Sequence, residues 1–125
     1  MDNIICDLPT PFVDDRGSLQ LLVDYSIGSV VLISSKKGTV RANHYHHDDE
    51  HHCYLVSGQI EYYHRPVGST EDPEMVVIEP GQMFYTPSNL EHAMKFTEDS
   101  VFLTFGKRHR TQEDYEADLV RVNLI

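Results

Sequence analysis

The sequence predicts an all-β fold, a single small domain over residues 1–125 that closes as a barrel or jelly roll. Two observations carry this. Short runs rich in Val, Ile, Tyr and Phe alternate with Gly, Pro, Asn and Asp along nearly the whole chain. The length of 125 residues allows one sizeable core but no separate catalytic and cofactor modules. A short-stranded chain of this size protects its strand edges best by closing on itself.

In chain order, strands are expected near residues 18–24, 29–35, 39–46, 51–57, 59–64, 75–79, 83–86, 92–96, 101–105 and 119–124. Ser57-Gly58 and Glu79-Pro80-Gly81-Gln82 read as tight turns, and Pro66 to Pro73 as a longer loop. One helix is expected, Gln112 to Asp118, with Thr111 as its N-cap and Asp114 three residues on. Glu113 and Asp114 then complement the helix N-terminus. Neither a repeat, a linker nor a low-complexity segment is present.

Charge narrows the partners. Twenty Asp and Glu against ten Lys and Arg give a formal charge of -10, which repels nucleic acid and anionic membrane surfaces. The opening MDNIICDLPTPF has neither the basic start nor the apolar run of a signal peptide, and no later stretch is long enough to cross a bilayer. A cytoplasmic protein is expected. Cys6 and Cys53 read as two core-like thiols, with a disulfide as the alternative.

The histidines point to chemistry. His44 and His46 are two apart, His51 follows five residues later, and His92 comes after a proline turn. Neutral imidazole is the commonest protein ligand for first-row transition metals. Residues two apart on a strand share a face, so His44 and His46 can both aim into a barrel while Tyr45 points away. A turn through Asp48-Asp49 would return His51 beside them, and His92 would join from another strand pair. The expected ligands of one divalent transition metal (Zn, Fe, Ni, Mn or Cu) are thus His44, His46, His51 and His92. The competing reading is that HYHHDDEHH is a solvated acidic loop that takes up metal adventitiously. His47 and His52 are read as surface residues, His64 and His109 as exposed, Cys53 as a small buried hydrophobe, and Tyr62, Tyr63 and Phe84 as barrel packing.

Residues 38–58, GTVRANHYHHDDEHHCYLVSG, resemble the first cupin motif, and residues 81–96, GQMFYTPSNLEHAMKF, resemble the second. Gly38, His44, His46, Gly58, Gly81, Pro87 and His92 fall at matching positions. The resemblance implies a cupin barrel. Three positions depart from it. Asn89 replaces a turn glycine, which suits a residue that enters left-handed conformations readily. Phe96 replaces an asparagine. His51 stands where the motif usually has Glu, with Glu50 one residue earlier. Only one of these two can face inward. With His51 inward, Cys53 and Leu55 also line the interior; with Glu50 inward, His52, Tyr54 and Val56 do. We favour the first.

More local resemblance bears on function. PFVDDRGSLQLL, from Pro11 to Leu22, looks like a segment of sugar-nucleotide cupins. VRANHYH, from Val40 to His46, is similar to the Arg-Gly-x-His of sugar-nucleotide epimerases and ketoisomerases, and closer to the metal-binding cupin domain of capsular-polysaccharide UDP-sugar epimerase/reductases. Ala42 replaces their glycine. The resemblance implies a metal-dependent epimerase or isomerase of a free or nucleotide-linked keto-sugar. Such chemistry needs a base, an oxyanion stabiliser and an acid. Arg41 and Arg16 would hold a pyrophosphate. A metal-bound His44 cannot also be a free base, and the epimerases' proton-donating tyrosine would fall near Thr104-Phe105, where none stands. Tyr85 or Tyr63 is expected to substitute, giving Arg41, Tyr85 and Tyr63 as the catalytic set. Alternatives are a metal-dependent oxygenase and a non-catalytic sugar-binding or sensor cupin. A homodimer is also expected, because small barrels with an N-terminal extension commonly pair sheets and the apolar tail Leu119 to Ile125 needs cover.

Overall fold

The computed structural model describes residues 4–125. Residues 1–3, the start of the segment considered above as a leader, lie outside the described residues. Among the described residues no helix is long and apolar enough to cross a membrane.

Among the described residues twelve strands and one helix are formed. They are β1 (Ile5–Cys6), β2 (Phe12–Asp14), β3 (Gly17–Leu19), β4 (Ser29–Ser35), β5 (Val40–His46), β6 (His51–Ser57), β7 (Ile60–Pro66), β8 (Glu74–Ile78), β9 (Met83–Thr86), β10 (Leu90–Phe96), β11 (Ser100–Gly106), α1 (Gln112–Asp118) and β12 (Leu119–Arg121). Two five-stranded antiparallel sheets result, ordered β1-β9-β6-β11-β4 and β12-β5-β10-β7-β8, with β2 and β3 as a separate hairpin. The sheets pack face to face, with β6 and β11 burying alternate residues and β10 nearly all of its own. Leu55, Phe84 and Phe102 from one sheet meet Ile60, Tyr62 and Phe96 from the other, all fully buried. The Phe96 and Phe102 rings stack at 5.7 Å, and Tyr62 meets Phe84 edge-on at 5.3 Å. This is the all-β barrel that the strand pattern predicts.

The helix forms over the expected residues, with the Thr111 side chain accepting from the Asp114 N–H. Asn89 adopts the left-handed conformation, φ 59°, and its N–H donates to the His46 carbonyl. Both cysteines are free thiols, Cys53 buried and Cys6 half-buried.

The N-terminal segment differs from expectation. In place of a strand over 18–24, residues 17–19 pair with 12–14 in a hairpin and the run after Leu19 joins no sheet. The alternation in SLQLL finds no partner strand on the barrel, so Leu19 and Leu21 remain exposed. The C-terminal strand also stops early, at Arg121. Beyond it the Asn43 side chain continues the pairing, its Oδ1 accepting from the N–H groups of Leu124 and Ile125 at 3.2 and 3.1 Å. Leu119 and Leu124 are thereby buried within the same chain. Ile125, at the end of the tail, remains 42% exposed.

Two turn glycines separate conformational strain from steric exclusion. Gly38 (φ +87°) and Gly58 (φ +97°) are both left-handed; a Cβ at Gly38 would meet nothing within 4 Å, whereas at Gly58 it would fall 2.1 Å from Ser100 Oγ and 2.5 Å from the Asp99 carbonyl oxygen. Gly38→Ala is expected to cost about 1–2 kcal/mol, and Gly58→Ala several kcal/mol more because backbone must move. Urea unfolding of the two variants measures this, and equal midpoints would contradict the packing at the β6–β7 turn.

Candidate metal centre

Three strands deliver four imidazoles to one place. His44 and His46 share the inner face of β5, His51 opens β6, and His92 on β10 pairs directly opposite His44. All four are at most 8% exposed. His44 lies 4.7 Å from His46 and 4.8 Å from His92 between ring centroids, and His46 lies 4.9 Å from His51. β6 turns His51, Cys53 and Leu55 inward. Glu50, one residue before the strand, is half-buried, and burial followed by the nearby Glu50 carboxylate raises the Tyr85 hydroxyl above its ordinary range.

The tautomers follow from the acceptors around the rings. His92 Nδ1 donates to the Leu90 carbonyl at 2.9 Å, which leaves its Nε2 as a lone pair. His46 Nε2 and His51 Nε2 are 3.4 Å apart. On the far side of the His46 ring, Nδ1 lies 3.3 Å from Asp118 Oδ2, at an angle that does not make a hydrogen bond. His51 Nδ1 has no partner and faces Gly106, where a Cβ would stand 3.2 Å from it.

Burial dominates the electrostatics. It pushes His44 down to about 2, His51 to about 3 and His92 to about 4, with neighbouring imidazoles adding to the shift of each. His46 is also lowered by burial, against the pull of Asp49 and Asp118. All four are therefore uncharged lone-pair donors at neutral pH. Burial raises the Asp49 carboxyl. For Asp118 burial also works upward, but the N–H groups of Asp49 and Asp48, both at 3.0 Å, hold it below the usual carboxylate range.

The imidazoles line a cavity of about 260 Å³. Ile33, Met94 and Phe102 form its apolar wall, and Arg41, Arg110 and Tyr115 its mouth. Arg41 gets there through a β-bulge. β10 pairs His92 with His44 but Ala93 with Ala42, so Asn43 is an extra residue, and both Ala42 (φ 70°) and Asn43 (φ 55°) are left-handed. Residues 41 and 44 would face opposite sides of a regular strand; the bulge resets the alternation and sets Arg41 opposite Met94, toward the cavity. Its Nε donates to Ser35 Oγ at 2.6 Å and its NH2 to the Ser34 carbonyl at 3.0 Å.

Other expected residues lie elsewhere. Tyr63 and Tyr85 do not line the cavity, because Tyr62 and Phe84 occupy the inward positions beside them. The Tyr63 hydroxyl donates to Glu61 at 3.0 Å, and Tyr85 packs 4.7 Å from the His52 ring. His52, read as a surface residue, is half-buried between Tyr25 and Tyr85. His64 is also half-buried, 5.9 Å from the Tyr62 ring. Arg16 is exposed on the hairpin, paired with Asp14. The cavity instead takes its tyrosine from α1: Tyr115 lies 5.7 Å from His46 and 6.2 Å from His44, with the Arg110 guanidinium 3.8 Å over its ring. Sequence reading missed Tyr115, Arg110, Asp49 and Asp118. The only local signal was the capped helix, whose one aromatic residue is Tyr115.

The cupin domain family matches residues 31–106, more than half of the chain, and the chain belongs to that family. No curated protein matches it in sequence. Among solved structures it is similar to the sugar 3,4-ketoisomerase QdtA from Thermoanaerobacterium thermosaccharolyticum in complex with TDP-4-keto-6-deoxyglucose, at 16% identity and TM-score 0.76, over 97% of this chain and 89% of that one. The dTDP-4-dehydrorhamnose 3,5-epimerase from Sulfolobus tokodaii matches at 16% identity and TM-score 0.74, over 93% and 74%. The capsular polysaccharide assembling protein CapF from Staphylococcus aureus matches at 22% identity and TM-score 0.69; 91% of this chain covers 34% of that one. The fold is thus that of sugar-nucleotide ketoisomerases and epimerases.

The buried histidines set a pH dependence. Their folded pKa values lie below the ordinary 6.5, so between about 4 and 6.5 the unfolded chain binds more protons and stability falls as pH is lowered. For His44, His51 and His92 together, the metal-free protein is expected to lose on the order of 4 kcal/mol between pH 7.5 and 5.5. Urea unfolding at the two pH values checks this, and a flat profile would place the imidazoles in water.

Proposed function

We propose that this cupin binds one divalent transition metal through His44, His46, His51 and His92 and acts as an epimerase or isomerase of a keto-sugar, free or nucleotide-linked. The observation that carries the reading is the turning of four uncharged imidazoles into one cavity whose mouth holds two guanidiniums and a tyrosine. The donors suit such an ion. Two ligands of a tetrahedral zinc with bonds of about 2.0–2.1 Å stand about 3.3–3.4 Å apart, and His46 Nε2 and His51 Nε2 are separated by 3.4 Å. An imidazole-rich set suits Zn, Cu, Fe or Ni. When bound, such an ion supplies Lewis acidity toward a keto oxygen.

The remaining work falls to the chain. Imidazoles committed to metal are not free bases, which leaves Tyr115 as the cavity's proton-transferring group, its ring held by Arg110. Arg41, fixed through Ser35 and Ser34, presents the rest of its fork to an anionic group at the mouth. At about 260 Å³ the cavity admits a sugar ring, and a nucleotide would lie outside it. Phe102, Met94 and Ile33 keep the inner end dry.

The activity test is solvent deuterium uptake into TDP-4-keto-6-deoxyglucose by the metal-loaded protein. Tyr115→Phe should slow uptake by about 100-fold or more, whereas Tyr45→Phe, on the outer face of β5, should leave it within about twofold. No uptake in the wild type would overturn the reading, and oxygen consumption in its place would mark oxygenase chemistry.

We also propose a homodimer, on a different ground from the tail. The outer face of the first sheet carries two adjacent rows, Leu32-Leu103-Tyr54 and Val30-Phe105-His52-Tyr85, with no Asp, Glu, Lys or Arg in either; Met83, which continues the first row, is buried. Outward positions of an antiparallel sheet are normally polar, yet Leu32 is 67% and Val30 53% exposed. On a chain of charge -10, an uncharged apolar face is where a second copy meets least repulsion. Light scattering should give twice the chain mass for the wild type and a shift toward monomer for Leu32→Lys; a wild-type monomer at all concentrations would remove the claim.

A further inference from the structure

The buried donors form two sets that share His46. One is His44, His46 and His92; the other is His46, Asp49 and His51, and within each the ligand atoms lie within 4.8 Å of one another. The second set contains a carboxylate that neither the cupin motif position at His51 nor the neighbouring Glu50 provides. Asp49 is only 8% exposed. Its Oδ1 is fixed by the N–H groups of Glu50 at 3.0 Å and Arg108 at 3.1 Å. Its other oxygen, Oδ2, lies 3.6 Å from His51 Nε2, beyond hydrogen-bond length.

That oxygen is short of a cation. The Arg108 guanidinium is directed to Asp118 at 3.2 Å and Asp48 at 3.7 Å, and among the described residues no arginine or lysine forms an ion pair with Asp49. A buried carboxylate without a positive partner is costly. The spacing His46 Nε2 to His51 Nε2 to Asp49 Oδ2, 3.4 and then 3.6 Å, is that of neighbouring ligands on one ion.

We propose that Asp49 supplies a carboxylate ligand and that the divalent ion lies among His46, His51 and Asp49, whose carboxylate stands just behind the two imidazoles that line the cavity, an assignment that rests on metal binding by these histidines. Asp118 stands on the other side of His46, 3.3 Å from its Nδ1. A carboxylate lowers the net charge of the site from +2 to +1, which moderates the ion's pull on a keto oxygen relative to four imidazoles. It also replaces, from the turn, the Glu that β6 lacks.

The test is Co(II) binding by the metal-free full chain, read by competition with a chromophoric chelator and by the visible absorption of the bound ion. Asp49→Asn keeps the side-chain size and an oxygen for the backbone contacts, and should weaken Co(II) binding by about 100-fold or more and shift the absorption bands. Glu50→Gln and His47→Ala should bind within about threefold of wild type, and His46→Ala should lose the ion. Wild-type binding lost in His46→Ala but kept with an unchanged spectrum in Asp49→Asn would overturn the Asp49 assignment and leave the metal reading standing. A wild type that takes up no Co(II) would overturn both. Should Asp49→Asn fail to fold, infrared difference spectra of the wild type decide: Zn(II) addition must shift a carboxylate stretch, and its constancy excludes Asp49.

Discussion

Four imidazoles can be buried this close together only if they stay uncharged. Two cations under 5 Å apart in a medium of low dielectric would repel by several kcal/mol, and the barrel avoids this by desolvation. Ile33, Met94 and Phe102 keep water from stabilising the protonated rings, so His44, His51 and His92 stay neutral far below their ordinary range. The same walls that make protonation costly leave lone pairs pointing into the cavity. The apolar core and the donor set are two aspects of one constraint, since the β-strands that bury Leu55 and Phe102 also bury His51 and Thr104.

Asp118 ties this cluster to the segments that enclose it. It accepts from the backbone of Asp48 and Asp49, meets the Arg108 guanidinium at 3.2 Å, and lies beside His46 Nδ1. Asp49 in turn accepts from the N–H of Arg108. The turn between β5 and β6, the connection from β11 to α1, and the end of α1 are thus one polar network, and such networks are strongest when every member is satisfied. Tyr115 stands one turn before Asp118 on the same helix. The residue that anchors the β5–β6 turn therefore also sets where the cavity's tyrosine sits.

The strands from Ser29 to Gly106 were legible to within about two residues, because alternation and turn residues are local signals. Gly58 and Asn89 show why the turns read clearly, each adopting the left-handed backbone its residue type favours. The N-terminal hairpin read poorly because Leu19 and Leu21 carry a strand pattern that no neighbouring strand uses. For the site, the inward set of His44, His46, His51 and His92 followed from parity, whereas Tyr63 and Tyr85 were set on the wrong side because Tyr62 and Phe84 compete for the interior. Asp118 and Tyr115 were hidden for another reason: the contact of Asp118 with the turn at Asp48-Asp49 spans 70 and 69 residues and leaves no periodic trace.

The bulge at Asn43 divides β5 into two halves that obey separate rules. The half ending in His44 and His46 is locked by its pairing with His92 and Leu119, while the half holding Val40 and Arg41 is offset by one residue. Such a joint absorbs slippage. The side chain at the entrance is set by the register upstream of the joint, and the histidines by the register downstream of it. The entrance and the inner chamber thus answer to separate registers on a single strand.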